Sequence, residues 1–183
     1  MKTLQGHFLV AAPHPLDPNF VEAIILVVEH VERGAVGVIV NYPGDPQQKI
    51  SRQRGAEPRR PEGPKLCFGG PLTGPLMAVH TDELFSEIEL LPGVFFAEGE
   101  KNVLAVMRSG EQSCKVFTGY AAWPPGQLEH EVECGVWRAI PAAAAQIFSN
   151  DDTLWAKLSR QAFDSQLTVM CNIKHIPADA SLN

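Results

Sequence analysis

The sequence predicts one domain of the α+β class, with short β-strands and amphipathic α-helices interspersed along its 183 residues. Two observations favour this class. Several short, nearly continuous apolar runs are rich in β-branched residues, which is typical of buried strands. Other segments place apolar residues three and four positions apart, the spacing of a helix that buries one face. Chains of ~100 to 200 residues usually build a single core, so we expect one domain over residues 1–183.

The first half of the chain is dominated by predicted strands. HFLVAA at 7–12 is a compact apolar run that prolines follow, and residues 22–41 hold two β-branched runs. The Glu-Arg-Gly break between these runs, at 32–34, predicts a hairpin whose glycine has a positive φ. Both arms should lie in the middle of a sheet that is covered on both faces. Glycine-proline corners divide two further pairs of predicted strands, at 66–81 and at 88–97.

The second half alternates predicted helices with predicted strands. Residues 99–110 have acidic side chains near their start and Arg108 with a glycine at their end, as helices do. A second helix is predicted after Pro125, with Gly135 at its C-terminal cap. The remaining predictions are strands at 114–120, 136–140 and 167–173, a helix at 142–148, and a last helix capped by Asn150 or Asp151.

The stretch from 44 to 65 departs from this pattern. It is rich in proline, glycine and charge, so we predict a mobile loop. Residues 66–100, by contrast, contain no lysine or arginine. We interpret the basic residues of the loop as solvated, and the net charge of −6 argues against broad affinity for nucleic acid. The basic cluster within this loop consists of Arg52, Arg54, Arg59, Arg60 and Lys65.

Composition predicts a soluble protein of the cytoplasm that does not enter a membrane. No apolar run reaches the ~18 residues needed to cross a bilayer. The N-terminal apolar stretch ends at Pro13 without a small-residue cleavage site. The four cysteines, Cys67, Cys114, Cys134 and Cys171, are widely spaced and form no CxxC pair. We therefore expect reduced cysteines and a cytoplasmic location.

Motifs of catalysis and of metal binding are sparse. No GxSxG elbow occurs, and Cys67 is interpreted as a packing residue although it precedes a glycine-rich turn. The GGP of that turn lacks the Lys and Ser/Thr of a P-loop. The histidines and glutamates do not have the spacing of metal ligands. We expect neither a metal nor a cofactor.

The most suggestive stretch is FTGYAAWPPGQLEHE at 117–131. It places Tyr120, Trp123, Gln127 and Glu129 around two prolines and two glycines, and glycine lets a ligand approach the backbone. We predict a strand, a tight aromatic turn and a helix, with the rings and one carboxylate facing outward. Changing Trp123 and Glu129 together should then abolish ligand binding and leave the fold intact.

Two histidines at the ends of predicted strands, His30 and His80, are the candidate bases. Glu129 and Glu131 are disfavoured as an acid/base pair, because alternate residues on a helix point ~200° apart. A hydrolase would instead combine His30 or His80 with Glu129. The full set of candidate ligand-binding residues is His30, Asn41, Gly69, Gly70, His80, Tyr120, Trp123, Gln127 and Glu129.

These segments together resemble the YqgE/AlgH family of bacterial proteins. The matching pieces follow the family order over most of the chain, and the specific one is FTGYAAWPPGQLEHEVECGVW at 117–137. The family usually has glycine at the position of Ala122, and a helix-bearing segment where residues 44–65 are rich in proline and arginine. The other matching pieces are GHFLVAAPHPLDPNF, VVEHVERGAVGVIVN, CFGGPL, the strand that ends in His80, and Leu154-Trp155.

The resemblance implies an α+β fold with a curled mixed β-sheet that resembles a partial barrel, and with helices packed around it. It implies no catalytic residues, because the family is described as uncharacterised. Some of its members carry the label of transcriptional regulators.

Three hypotheses of function follow. The first is a non-enzymatic, cytoplasmic regulatory or binding protein that contacts a small molecule or a protein through the 120–131 stretch and the Gly69-Gly70 turn. The alternative is a hydrolase, which requires a histidine and a carboxylate within hydrogen-bonding distance in a shared cleft. Direct binding of nucleic acid by the basic loop is the third and is not favoured.

Overall fold

The computed structural model describes residues 3–13, 15, 17–42, 66–109 and 113–171, with side chains described as far as residue 162. The predicted loop at 44–65 and its basic cluster lie outside these residues. Among the described elements, seven strands come before the first α-helix, and the remaining strands and helices follow, so the predicted α+β class is confirmed.

The described strands are β1 (His7–Ala11), β2 (Ile24–Val31), β3 (Gly34–Ile39), β4 (Leu66–Phe68), β5 (Met77–His80), β6 (Ile88–Leu91), β7 (Val94–Glu98), β8 (Cys114–Thr118), β9 (Ala121–Trp123) and β10 (Trp137–Pro141). The described helices are α1 (Glu100–Ser109), α2 (Gln127–Glu133), α3 (Ala144–Ile147) and α4 (Leu154–Cys171). Single 3₁₀ turns occupy Pro18–Phe20 and Glu83–Phe85.

The strands form two five-stranded sheets. Sheet A has the order β10-β1-β2-β3-β9 and is antiparallel throughout. Sheet B has the order β4-β8-β5-β7-β6 and includes one parallel pair, β4 with β8. The predicted hairpin at 32–34 is confirmed as the β2–β3 connection, where Val31 pairs with Gly34. The predicted strand pair at 88–97 is confirmed as β6 and β7.

The buried side chains of the described residues form three clusters. The largest core cluster combines residues of both sheets with Ile147 of α3 and Leu158 of α4. On the other face of sheet A, Leu128 of α2 packs with Trp123 and Trp137. The predicted burial of the β2–β3 hairpin on both faces is therefore confirmed. A smaller cluster around Val103 holds α1 against sheet B.

The strand predicted at 167–173 is wrong as far as the described residues reach, because α4 continues to Cys171. Thr168 and Val169 are β-branched, and such residues favour strands. No glycine or proline interrupts residues 154–171, however. Once a helix has started, each further residue adds a hydrogen bond at little cost, so the helix extends through this segment.

Candidate functional site at the junction of the two sheets

The 117–131 stretch carries the chain from sheet B to sheet A. It leaves sheet B at the end of β8, crosses at Gly119 and Tyr120, joins sheet A as β9 and then forms α2. A short strand replaces the predicted aromatic turn, because β9 pairs antiparallel with β3. The reversal comes later, where Gly126 precedes α2 with a φ of 77°. We call this crossing the sheet junction.

The glycines predicted to admit a ligand pack against the chain itself. A Cβ at Gly69 would lie 2.2 Å from the carbonyl oxygen of Gly119, and one at Gly70 would lie 2.3 Å from the carbonyl carbon of Tyr120. The amide of Gly69 donates to the carbonyl of Thr118 at 2.8 Å. Tyr120 and Leu72 exchange two backbone hydrogen bonds, each of 3.0 Å. The space that the missing Cβ atoms leave accommodates a close crossing of two backbone segments.

Trp123 faces inward, contrary to the prediction that its ring is exposed. The residue is 5% exposed, and its Nε1–H donates to Glu131 Oε2 at 2.8 Å. Trp137 Nε1–H donates to the same oxygen at 2.7 Å, and the two indoles meet edge to face with centroids 6.0 Å apart. Glu131 Oε1 accepts from Gln127 Nε2 at 2.7 Å. One carboxylate thus ties α2 to β9 and to β10.

Sequence reasoning missed this role of Glu131 and Trp137. A signal for it exists in retrospect, because a buried indole requires a hydrogen-bond acceptor. The two tryptophans flank α2 in the sequence, and Glu131 lies on a different side of that helix from Glu129. Local spacing alone does not show that both rings converge on the same carboxylate.

His30 of β2 and Glu129 of α2 lie within hydrogen-bonding distance of each other. His30 Nε2 lies 3.2 Å from Glu129 Oε1, the histidine side chain is 1% exposed, and the glutamate side chain is 35% exposed. On the other side of the ring, the amide of Leu4 donates to His30 Nδ1 at 3.0 Å. Because Nδ1 accepts a hydrogen bond, the proton of the neutral ring lies on Nε2 and points at the carboxylate.

This arrangement differs from that of a catalytic dyad. In a dyad, one ring nitrogen is held by a carboxylate and the other faces the reacting group. Both ring nitrogens of His30 have partners within the chain. The hydroxyl of Thr3 also donates to the carbonyl of His30 at 3.3 Å, so the same residue anchors the N-terminal segment to β2.

The side chains of His80 and Asn41 make hydrogen bonds within the chain. His80 is fully buried in β5, and its Nδ1 accepts from the amide of Asp82 at 3.3 Å. Burial lowers the pKa of His80 below its ordinary value of 6.5, while the charge of Asp82 partly offsets this effect. The side chain of Asn41 accepts from the amide of Ile24 at 2.9 Å and donates to the carbonyl of Glu22 at 2.8 Å.

Cys67 precedes the glycine-rich turn, and Cys114 begins β8. Cys67 is 6% exposed, as expected of a packing residue. Burial raises the pKa of Cys114 to about 11, and the neighbouring Cys67 adds to the shift.

Among the described residues, no group of three or more His, Cys, Asp or Glu side chains could hold a metal ion. None of the described helices is long and apolar enough to span a membrane.

The outward side of the junction exposes several uncharged residues. Tyr120 is half-buried and packs over Gly74, where a Cβ would lie 2.7 Å from the Tyr120 ring. Ala122, Pro125 and Gln127 are exposed. Ala122 replaces the glycine that is usual in the resembled family, and its methyl group points to solvent from the middle of β9. Of the predicted site residues, Tyr120, Gln127 and Glu129 present surface here, whereas His30, Gly69, Gly70, His80 and Trp123 are buried.

The fold and the junction define a class of protein: two five-stranded sheets are joined by a glycine crossing, and the carboxylates of a short helix hold that helix to sheet A. The AlgH-like family model (DUF179) matches residues 8–165, and the chain belongs to this family.

Relatives align along most of the chain. A UPF0301 protein of Pseudomonas fluorescens is 30% identical over 93% of this chain and 92% of its own length. The UPF0301 protein AlgH of Pseudomonas aeruginosa is 32% identical over 79% of this chain and 80% of its own length. A UPF0301 protein of Chlorobaculum tepidum is 30% identical over 85% of this chain and 84% of its own length.

Two solved structures share the fold. The solution structure of AlgH from Pseudomonas aeruginosa has a TM-score of 0.65 and 27% identity, and it covers 97% of this chain and 100% of that protein. The crystal structure of a Corynebacterium diphtheriae protein has a TM-score of 0.64 at 24% identity, with 88% of each chain covered.

Proposed function

We propose that this protein is a non-enzymatic, cytoplasmic regulatory or binding protein that contacts a partner protein through the outward side of the sheet junction. One contrast carries the proposal. The Trp123, Glu129, Glu131 and His30 side chains are held in contacts within the chain, whereas Ala122, Pro124, Pro125 and Gln127 are exposed and uncharged.

The proposed contact area, which we call the junction surface, consists of Leu72, Ala122, Pro124, Pro125 and Gln127. Leu72 is 44% exposed, and the other four are also exposed. Residues 66–81 and 116–128 contain no Asp, Glu, Lys or Arg, in a chain whose net charge is −6. Cores of protein interfaces are depleted in charge, and exposed apolar patches mark interaction sites. Small molecules bind in clefts, whereas an exposed set of apolar residues is typical of contact with a protein.

Quantitative co-purification tests this function. The tagged chain would be expressed at its native level, and proteins retained by the parent would be compared with those retained by Ala122→Asp. The matched control is Ala156→Asp, which places the same charge at an exposed position of α4. A partner that Ala122→Asp loses and Ala156→Asp keeps supports the proposal. Identical sets from all three proteins would refute it.

The double change of Trp123 and Glu129 is not a test of binding in this fold. Trp123 is buried and donates to Glu131, and Glu129 lies within hydrogen-bonding distance of His30. Both substitutions would remove contacts that hold α2, so a loss of binding would follow from a loss of structure.

A hydrolase is the second candidate, and the 3.2 Å separation of His30 Nε2 and Glu129 Oε1 favours it. The two candidates differ in what His30→Gln should do. A catalytic His30 predicts that the parent hydrolyses simple ester or phosphate substrates, and that the variant loses this turnover at unchanged stability. A structural His30 predicts no turnover in either protein and a lower thermal midpoint in the variant.

A further inference from the structure

The C-terminal end of α2 places a thiol beside an imidazole. Cys134 Sγ lies 3.6 Å from His130 Nε2 and 4.0 Å from His130 Nδ1. Both residues are exposed, and they share one face of the helix because they are four positions apart. The polar contacts that hold α2 to sheet A are made by Glu129 and Glu131 instead. The thiol and the imidazole are therefore available to a ligand from solvent.

The backbone at this end of the helix is fixed by hydrogen bonds. The amide of Cys134 donates to the carbonyl of His130 at 2.9 Å. Gly135 follows with a φ of 76°, and its amide donates to the carbonyl of Val132 at 3.1 Å. The amide of Val136 donates to the carbonyl five positions earlier at 2.9 Å. These bonds form a Schellman motif, which positions both side chains on a fixed backbone and reduces the ordering cost of binding.

The separation of the two donor atoms suits a tetrahedral zinc ion. Zinc bonds a thiolate at about 2.3 Å and an imidazole at about 2.1 Å, so tetrahedral angles place the two donors about 3.6 Å apart. The distance between Cys134 Sγ and His130 Nε2 is 3.6 Å. Two zinc ligands four positions apart on one helix face are also the arrangement of HExxH sites. Magnesium and calcium prefer oxygen ligands, so they do not match this pair.

The charge of α2 favours a cation. The helix contains three glutamates and no lysine or arginine. Glu129 and Glu131 contact the neutral groups His30, Trp123 and Trp137, and these contacts leave their negative charge in place. The C-terminal end of a helix also carries partial negative charge from its carbonyl groups. A divalent cation at this end is therefore stabilised by the helix that holds it.

The basic residues of neighbouring elements lie away from this end of α2. The strands β2, β3 and β9 contain no lysine or arginine, and β10 contains Arg138. Trp137 packs on the α2 face of sheet A, and successive residues of a strand point to opposite faces, so Arg138 lies on the other face. Arg33 precedes Gly34, which packs against the backbone of Trp123 ahead of the start of α2.

We propose that His130 and Cys134, which we call the His–Cys pair, bind a zinc ion through Nε2 and Sγ. Water fills the other two positions of the tetrahedral site. Cys134 binds as the thiolate, so its proton passes to solvent when the ion binds. The sequence-based expectation of no metal rested on the spacing of histidines and glutamates and on the lack of a CxxC pair. Neither criterion covers a histidine four positions before a cysteine.

The His–Cys pair is separate from the junction surface. The junction surface includes Gln127 at the first turn of α2, whereas His130 and Cys134 lie towards and beyond its last turn. Ala122→Asp does not alter the pair, and substitutions in the pair do not alter the junction surface. Either proposal can therefore fail without the other.

Optical titration with Co²⁺ tests the site. Cobalt takes the place of zinc in tetrahedral sites, and a bond from cobalt to thiolate adds a charge-transfer band in the near ultraviolet. The full chain, without an affinity tag, would be titrated in the presence of a phosphine reductant. We expect the band in the parent and in the control Cys114→Ser, and no band in Cys134→Ser. A band that Cys134→Ser keeps, or that the parent lacks, would overturn the proposal.

Zinc affinity, measured by competition with a chromophoric chelator, completes the test. Loss of a partner behind a metal ligand weakens affinity roughly 10- to 100-fold, so loss of a ligand itself should weaken the Kd at least about tenfold. We expect this of His130→Asn and of Cys134→Ser, whereas the control His7→Asn should keep the parental Kd. Both ligand variants should keep the circular dichroism spectrum, because exposed side chains contribute little to stability. Equal Kd values for His130→Asn and His7→Asn would contradict the role of the imidazole.

Discussion

At the scale of single residues, His30 joins three parts of the chain through one imidazole ring. Its Nδ1 accepts from the amide of Leu4, its Nε2 faces Glu129 of α2, and its backbone belongs to β2. The sequence identified the histidine and the glutamate but not the third partner. Leu4 is 26 positions from His30, and nothing in the residues near either one predicts that contact.

Replacing His30 should cost stability. His30→Leu leaves the amide of Leu4 without its acceptor in a partly buried position and removes the partner of Glu129, which together cost about 2 kcal/mol. Urea unfolding measures this as a lower midpoint at an unchanged slope. Glu29→Leu, at the exposed neighbouring position of β2, should change the free energy of unfolding by less than about 0.5 kcal/mol. Equal effects of the two changes would contradict the role given to His30.

His80 should make stability depend on pH. Burial lowers its pKa in the fold below the ordinary 6.5, so above that pH the ring is neutral in both the folded and the unfolded chain. As the pH falls below 6.5, the unfolded chain binds a proton that the folded chain does not, and stability decreases. Between about pH 7.5 and about pH 5, the parent should therefore lose stability relative to His80→Leu. Other histidines, such as His7 and His30, are present in both proteins, so their contributions cancel in the comparison. Parallel pH profiles of the two proteins would contradict this prediction.

At the scale of elements, α2 is held by carboxylates on two of its sides. Glu129 faces His30 of β2, and Glu131 accepts from Trp123 of β9 and Trp137 of β10. The expectation that these two glutamates diverge was derived from helical geometry, and the structure agrees with it. Their divergence disfavours a shared chemical task and lets one short helix bind three strands of sheet A.

Removing the second carboxylate should loosen this helix. Glu131→Ala leaves two buried indole N–H groups without an acceptor and should cost about 3 kcal/mol. The tryptophan emission of the folded variant should shift to the red as Trp123 and Trp137 gain contact with water. Glu133→Ala removes an exposed carboxylate of the same helix, and it should alter neither stability nor emission. An unchanged emission spectrum in Glu131→Ala would count against the contact.

Elements that are marked by residues at their own turns could be predicted from the sequence. Features that depend on residues further along the chain could not. The β2–β3 hairpin and the β6–β7 pair are marked by glycine and proline at their turns, and both are confirmed. The end of α4 was predicted as a strand, because the β-branched residues there were weighed without the helix that precedes them. The burial of Trp123 depends on Glu131, eight positions away across a turn.

At the scale of the whole molecule, the two sheets share the largest core cluster, and backbone packing at the junction and a buried amine also connect them. Lys115 of β8 donates through Nζ to the carbonyl of Val40, just after β3, and to that of Ser149, just after α3, both at 3.0 Å. The pairing of β4 with β8 and of β9 with β3 joins segments that are distant in sequence. Sequence pattern predicted the strands but not this division into two sheets.

Two glycines with nearly equal positive φ angles allow the cost of overpacking to be measured apart from the cost of backbone strain. Gly119 has a φ of 73° and Gly126 a φ of 77°, yet a Cβ at Gly119 would lie 2.4 Å from the carbonyl oxygen of Gly70, whereas one at Gly126 meets nothing within 4 Å. Gly126→Ala should cost only the conformational strain, about 1 kcal/mol. Gly119→Ala should cost about 3 kcal/mol, because overpacking adds to that strain. Equal costs in urea unfolding would show that the two backbones do not pack at this point.

The central claim is that the junction uses its polar groups to hold the fold and presents binding surface on its outward side. The ring of His30 reports on this claim most directly, because a base available for catalysis needs a free nitrogen. Nitrogen-15 NMR at neutral pH distinguishes the two tautomers of a neutral imidazole. We predict that His30 carries its proton on Nε2, with Nδ1 accepting the hydrogen bond from Leu4. A proton on Nδ1, with Nε2 free to accept one, would contradict the claim.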